Sequence, residues 1–322
     1  IIERINMILE WEKNNPHSEI SKNGYNAYLN ELITQSHVYS NIHQLDFLEI
    51  VYEWGKDKVR GTRDELYEIK EESTNILSLG FGNTVGLVQT RSGKLKHASD
   101  EKISELQARF KPLDILFEKT PFRLTDKFIP GHWGHVAIWI GNEAQLKELG
   151  VWSELDSINA YIKKYHDYDG PSLKSLIKSN RLVLEALRPG VELNSFKHFL
   201  NIDDLAVIRT RDEMSDEQKR RYLIKAFKQI GKSYDFNFNV ETDKKIVCSE
   251  LAYVVYGDME WPTERQLGRY TISPDHVAIK AKDGGEFYPF MVFHKGREIK
   301  TNIQQNFDHL INGKYKSIKF GQ

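Results

Sequence analysis

The chain has one cysteine, Cys248, set in Lys-Lys-Ile-Val-Cys-Ser-Glu-Leu-Ala-Tyr-Val-Val-Tyr at residues 244–256. Behind it Leu251, Val254 and Val255 recur at the spacing of one helix face, which places the cysteine in a first helical turn. Unpaired backbone N–H groups and the helix dipole favour a thiolate there, and the same amides can hold an oxyanion. Lys244 and Lys245 add positive charge nearby. The plain alternative is a small buried hydrophobe, the default for a lone cysteine. Chemistry at Cys248 therefore requires a base elsewhere in the chain.

The best base lies far upstream, in Gly-His-Trp-Gly-His-Val-Ala-Ile-Trp-Ile-Gly at 131–141. Alternation puts His135, Ala137 and Trp139 on one face of a strand and Val136, Ile138 and Ile140 on the other. His135 thus stands where a loop hands over to a rigid element. His132 and His135, three apart, are also a possible metal pair, but spacing supplies no third or fourth ligand, so no metal and no bound cofactor is expected. His132 and its neighbour Trp133 are instead expected to shape the cleft rim and meet substrate. A third group is Glu185, in Arg-Leu-Val-Leu-Glu-Ala-Leu at 181–187. A carboxylate amid apolar strand residues is costly to bury unless paired, and an imidazole on a neighbouring strand is a suitable partner. An outward-facing glutamate is the competing reading. Asp114, after Lys-Pro-Leu, is expected to tie down a turn, and His276 to be structural.

These residues need elements to position them. Short β-branched segments at 113–117, 135–140, 181–187 and 204–209 read as strands, with a last strand at 286–294. Helices are expected at 100–109, 215–230 and 247–257, the second opened by Asp216 and Glu217. Strands and helices in separate runs predict an α+β fold with an antiparallel sheet packed against the cysteine-bearing helix. Residues 1–105 read as a helical N-terminal module or elaboration that offers a surface to a protein partner. Residues 106–322 read as the catalytic domain, with a helical insertion at 143–180. The aromatic cluster Phe287, Tyr288, Phe290 and Phe293 reads as core.

Composition narrows the function classes. With 322 residues, 40% hydrophobic and 28% charged, the chain can bury a substantial core. Its formal net charge of -1 gives no global field toward nucleic acid. No apolar run reaches the roughly 20 residues of a membrane-spanning helix. One cysteine excludes an internal disulfide framework. The sequence begins at Ile1, so a leader removed before it would place the protein in the cell envelope or periplasm, and otherwise in the cytoplasm.

Taken in order, Gly-His-Val-Ala-Ile-Trp-Ile-Gly at 134–141, the Leu-Glu-Ala strand, and the late Tyr-Asp-Phe followed by Cys-Ser-Glu-Leu resemble the permuted papain-like amidases of the YaeF/YiiX type. These are relatives of the NlpC-type cell-wall peptidases, in which the cysteine helix precedes the histidine strand; here it follows. The resemblance covers roughly residues 110–260. It implies a permuted papain-like (NlpC-like) fold, with Cys248 as nucleophile, His135 as base and Glu185 as the residue orienting it. Tyr234 matches the aromatic that precedes the cysteine and is expected to line the cleft or support the oxyanion; plain core packing is its other reading. The implied activity is hydrolysis of an amide or ester through a thioester acyl-enzyme, on a peptide, a cell-wall fragment or a lipid acyl group. Three alternatives stand beside it. One is an inactive binding module on the same fold, and another a thiol-dependent lipid acyl hydrolase or acyltransferase. The last is a metal-dependent hydrolase using His132 and His135 with a carboxylate.

Overall fold

Alternating apolar segments, each bounded by turn residues, pair into a seven-stranded sheet in a computed structural model of the chain. The structure describes residues 90–321 apart from 124–125, 127–128, 130, 167, 188–189, 235–244 and 267–268. The chain divides at Ser73/Thr74, and the described residues belong to the second unit. The helical module expected at 1–105 therefore lies outside the described residues, except for its last part. There Ser99 caps helix α1 (Asp100–Ala108), whose Ile103 and Leu106 join the main core.

The strands are β1 (Ile115–Lys119), β2 (His135–Trp139), β3 (Arg181–Leu187), β4 (Gly190–Ser195), β5 (Asp204–Thr210), β10 (Phe287–His294) and β11 (Arg297–Glu298). Their order in the sheet is β11-β10-β5-β1-β2-β3-β4, and every pairing is antiparallel. All of β2 is buried, with Val136, Ala137 and Ile138 wholly enclosed. The first strand starts two residues later than the apolar pattern predicts. Leu113 has φ +74°, and Asp114 accepts the Lys111 N–H at 2.7 Å, so a turn occupies the apolar segment's beginning. Asp114 also takes a two-pronged bond from Arg209, each contact 2.7 Å. Burial nevertheless outweighs that guanidinium and pushes the carboxyl up to about 6.

Gly190 opens β4 with φ +133°, where an added Cβ would stand 2.3 Å from the Lys232 carbonyl oxygen. That same carbonyl accepts the Val191 N–H at 2.9 Å, so the backbones must approach closely at this point.

Between β2 and β3 run helices α2 (Glu143–Glu148), α3 (Leu155–Tyr165) and α4 (Leu173–Lys178), filling the segment read as a helical insertion. Asn142 and Ser172 cap the first and last of these, and Leu155, Ile158 and Ile162 form the buried stripe of α3. A short helix, α5 (Phe196–Phe199), follows β4. Ser215 caps α6 (Asp216–Phe227), with Asp216 and Glu217 in its first turn as expected.

Strands β6 (Ser233–Tyr234) and β7 (Lys245–Ile246) pair in parallel just before α7 (Cys248–Val255). This cysteine-bearing helix packs against β2, β3 and α6. A small hairpin, β8 (Glu264–Gln266) and β9 (Arg269–Thr271), leads to α8 (Pro274–Ile279), and α9 (Ile303–Ile311) packs on β10. His276 lies within α8, where Ser273 caps the helix and donates its N–H to the His276 ring at 3.2 Å. In the C-terminal aromatic cluster Phe287 and Phe293 are buried in the core, while Phe290 stacks under the Arg209 guanidinium at 4.2 Å.

Candidate active site

The sheet register brings His135 and Glu185 together. On the shared face Ala137 stands directly opposite Glu185, and His135 lies two residues further along β2. Diagonal neighbours of this kind are within reach of long side chains, and the small methyl of Ala137 leaves room for the carboxylate to lean across. His135 Nε2 lies 3.1 Å from Glu185 Oε2, with both residues buried. The other carboxylate oxygen accepts a hydrogen bond from Asn194 Nδ2 at 2.9 Å, and the exposed His198 ring stands 3.8 Å from it. Burial alone would push Glu185 up. Hydrogen bonds from His135, His198 and Asn194 and the charge of His135 overrule it, leaving the carboxyl at about 2, below its ordinary 4.5.

The imidazole responds in the opposite sense. Burial would lower His135, but interaction with the Cys248 thiol, the Glu185 bond and the charge of Glu118 together hold it well above its ordinary value. With Nε2 committed to Glu185, Nδ1 is the ring nitrogen free for the thiol. Cys248 occupies the first position of α7, behind the extended N-cap Val247. Its backbone N–H belongs to the group that an α-helix leaves without an internal partner. The helix start is pinned by Glu250, whose Oε2 accepts the Val247 N–H at 2.8 Å, and by Ser249, whose hydroxyl donates to the Ile272 carbonyl at 2.6 Å. Cys248 and His135 retain 6% and 8% exposure, so both are largely shielded from solvent.

The chain thus brings Cys248, His135 and Glu185 into one cluster, although they come from widely separated parts of the sequence. His132 and Trp133, expected at the cleft rim, are both buried elsewhere. Asp275 fixes their backbone, its two carboxylate oxygens accepting the His132 and Trp133 N–H groups at 2.9 and 2.8 Å. Trp133 packs between Phe117 and Phe307 of α9. His132 turns toward Asp204 and Tyr315. The expected alternative pairing of His132 with His135 fails for that reason, since the two rings point to different carboxylates. Tyr234 ends β6, its backbone paired with Ile246 two residues before the cysteine; its side chain lies outside the described residues.

Three supporting groups escaped the sequence reading. Glu118 pairs in register with His135 across β1 and β2 and is buried, with its carboxyl raised by that burial. A glutamate ending the apolar run Ile-Leu-Phe was its only signal. Asn194 and His198 sit on and after β4, which the sequence reading omitted, and their roles depend on the β3–β4 hairpin.

Residues 110–308 match the model of the permuted papain-like amidase enzymes of the YaeF/YiiX type, the C92 peptidase family. That span is more than half of the chain, and the chain belongs to this family. The membership supports a hydrolase of the amidase or peptidase kind. Among solved structures, the chain is similar to one described as the metalloprotein yiiX from Escherichia coli O157:H7. The two share 18% identity over 56% of this chain and 89% of that one, with a TM-score of 0.34. No curated protein matches the chain. Among the described residues no helix is long and apolar enough to cross a membrane.

Proposed function

We propose that the protein is a cysteine hydrolase acting on amide or ester bonds, with Cys248 as nucleophile, His135 as general base and acid, and Glu185 as the residue that orients the imidazole. The observation that carries this reading is the buried His135–Glu185 contact of 3.1 Å beside a thiol in the first turn of a helix. A carboxylate on Nε2 fixes the tautomer and favours the imidazolium, and the imidazolium in turn favours a thiolate.

In the first half-reaction the Cys248 sulfur bonds to the substrate carbonyl carbon. The backbone N–H of Cys248 faces the oxyanion that forms. As the carbon–nitrogen or carbon–oxygen bond breaks, His135 gives its proton to the leaving amine or alcohol, and a thioester remains. Water then attacks the thioester, His135 takes a proton from it, and a carboxylic acid leaves as the thiol is restored. Another acceptor in place of water would make the same site an acyltransferase. Peptides, cell-wall fragments and lipid acyl groups all present the required carbonyl.

The test is to incubate the full chain with activated acyl esters and amides and analyse the intact protein by mass spectrometry. An acyl adduct on Cys248, absent in Cys248→Ser and no longer turned over in His135→Ala, is expected. Hydrolysis that survives Cys248→Ser and stops with a chelator would replace this mechanism with a metal-dependent one. A folded protein with no adduct and no turnover would leave a binding module on an enzyme fold.

A further inference from the structure

A second cluster of reactive side chains lies at the same end of the sheet but on its other face. His294, the last residue of β10, places Nδ1 2.7 Å from Asp204 Oδ2, at the start of β5. His132, in the loop before β2, places Nε2 3.1 Å from that same oxygen. Asp204 pairs with Lys119, one step beyond the Glu118 that faces His135. Alternation therefore directs Asp204 away from the cysteine side. The three side chains are buried, with exposures of 4%, 4% and 7% for His132, Asp204 and His294. Their donor atoms all fall within 4.8 Å of one another.

Hydrogen bonding accounts for only part of this arrangement. The second Asp204 oxygen accepts the Lys295 N–H at 2.7 Å, and the His294 contact is well formed. His132 Nε2 is buried and close to the carboxylate yet off the line of a hydrogen bond, so it makes no well-formed hydrogen bond. An orphaned imidazole nitrogen in the interior costs free energy, on the order of 1–3 kcal/mol. A shared cation between the three donors would satisfy it.

We infer that His132 Nε2, the Asp204 carboxylate and His294 Nδ1 form a binding site for a divalent transition metal of the zinc class. Two imidazoles and one carboxylate, with one position left open, are a donor set that such ions accept, whereas calcium and magnesium prefer oxygen alone. Metal–ligand bonds of about 2.0–2.2 Å in a tetrahedral array hold the donors roughly 3.3–3.6 Å apart, so the 3.1 Å His132 contact needs to open by a few tenths of an ångström and the 2.7 Å His294 contact by somewhat more than half an ångström, both inside the 4.8 Å span of the three donors. The surroundings support the ligands. Tyr315 Oη lies 3.4 Å from His132 Nδ1, where it can fix the tautomer, and the His294 ring stacks against Tyr315 and Phe320. Asp275 anchors the His132 backbone. A bound ion would clamp β5, β10 and the loop that delivers His135, and it takes no part in the acyl chemistry proposed above.

The site is tested by loading the full chain with Zn2+, removing unbound metal by gel filtration and counting bound zinc by inductively coupled plasma mass spectrometry. About one equivalent per chain is expected for the native protein and for Cys248→Ser, and little or none for His294→Ala. X-ray absorption of the zinc-loaded native protein, which needs no variant to fold, should show two imidazoles, further nitrogen or oxygen donors and no sulfur. Failure of the native protein to retain zinc would overturn the inference. So would a sulfur scatterer near about 2.3 Å, or binding that survives His294→Ala and disappears in Cys248→Ser. None of these readouts depends on catalysis.

Discussion

Replacing Glu185 by Gln keeps the shape of the side chain and an oxygen able to accept from His135 Nε2, but removes the charge that faces the imidazolium. Its effect can be sized from the carboxyl itself. The folded protein holds Glu185 at about 2 rather than 4.5, and one such unit corresponds to about 1.36 kcal/mol, so the environment favours the charged form by roughly 3 kcal/mol. His135, His198 and Asn194 share that stabilisation. Assigning roughly half to the imidazole gives about 1.5 kcal/mol, or on the order of a tenfold change in the balance between the thiolate–imidazolium pair and the neutral pair. The assay is the rate of Cys248 alkylation by iodoacetamide between pH 4 and 9. Near pH 6 the variant should react roughly ten times more slowly than the native protein. The two should converge toward pH 9, where an ordinary thiol of pKa about 8.5 ionises unaided. Asn194 complicates the exchange, because its amide already donates to Glu185 and Glu192 and would meet a second amide. Circular dichroism should therefore establish that the variant is folded. A folded variant with an unchanged rate profile would refute the claim that Glu185 sustains the imidazolium.

Two further outcomes follow from the same structure. A carboxyl held low in the folded state contributes stability that is present above its unfolded value and lost as pH falls through its folded value. The stability advantage of the native protein over Glu185→Gln, measured by urea unfolding, should thus shrink between about pH 4.5 and about 2, and a constant difference would count against the assignment. Gly190→Ala forces a Cβ against the Lys232 carbonyl at a φ of +133°, and should cost about 1–3 kcal/mol, read as a lower thermal midpoint; an unshifted midpoint would mean that the β4 start relaxes freely.

Much of the scaffold was legible because its strands carry strong local patterns. Arg181–Leu187 follows from its short apolar run, the histidine strand from alternation and β-branching, and the cysteine helix from its apolar stripe. The first strand was displaced because its early apolar residues serve a turn whose geometry rests on Asp114 and a positive φ at Leu113. Strand β4 was omitted, although Val191 and Leu193 alternate with polar residues, because its glycine start reads as a loop until Lys232 closes over it. Helix α8 carries a visible signal, Ser273 followed by Pro274, and α9 has Ile303, Phe307, Leu310 and Ile311 at helical spacing; both lie C-terminal to the motifs that carry the resemblance. The clustering of His132, Asp204 and His294 had no local signal at all. It exists only because β5 and β10 are neighbours in space.

That adjacency also bears on how the chain folds as it is made. Strand β5 sits inside the finished sheet, bonded to β1 on one side and to β10 on the other. Its first partner has already emerged when Thr210 leaves the ribosome, but its second begins only at Phe287. Until then the backbone of Leu205–Ile208, wholly buried in the native protein, presents an unsatisfied apolar edge of the kind that recruits other chains. Synthesis that stalls or ends between α7 and β10 would therefore yield a product that already contains Cys248 but is prone to aggregate, and the segment from Phe287 onward acts as an internal seal on the sheet.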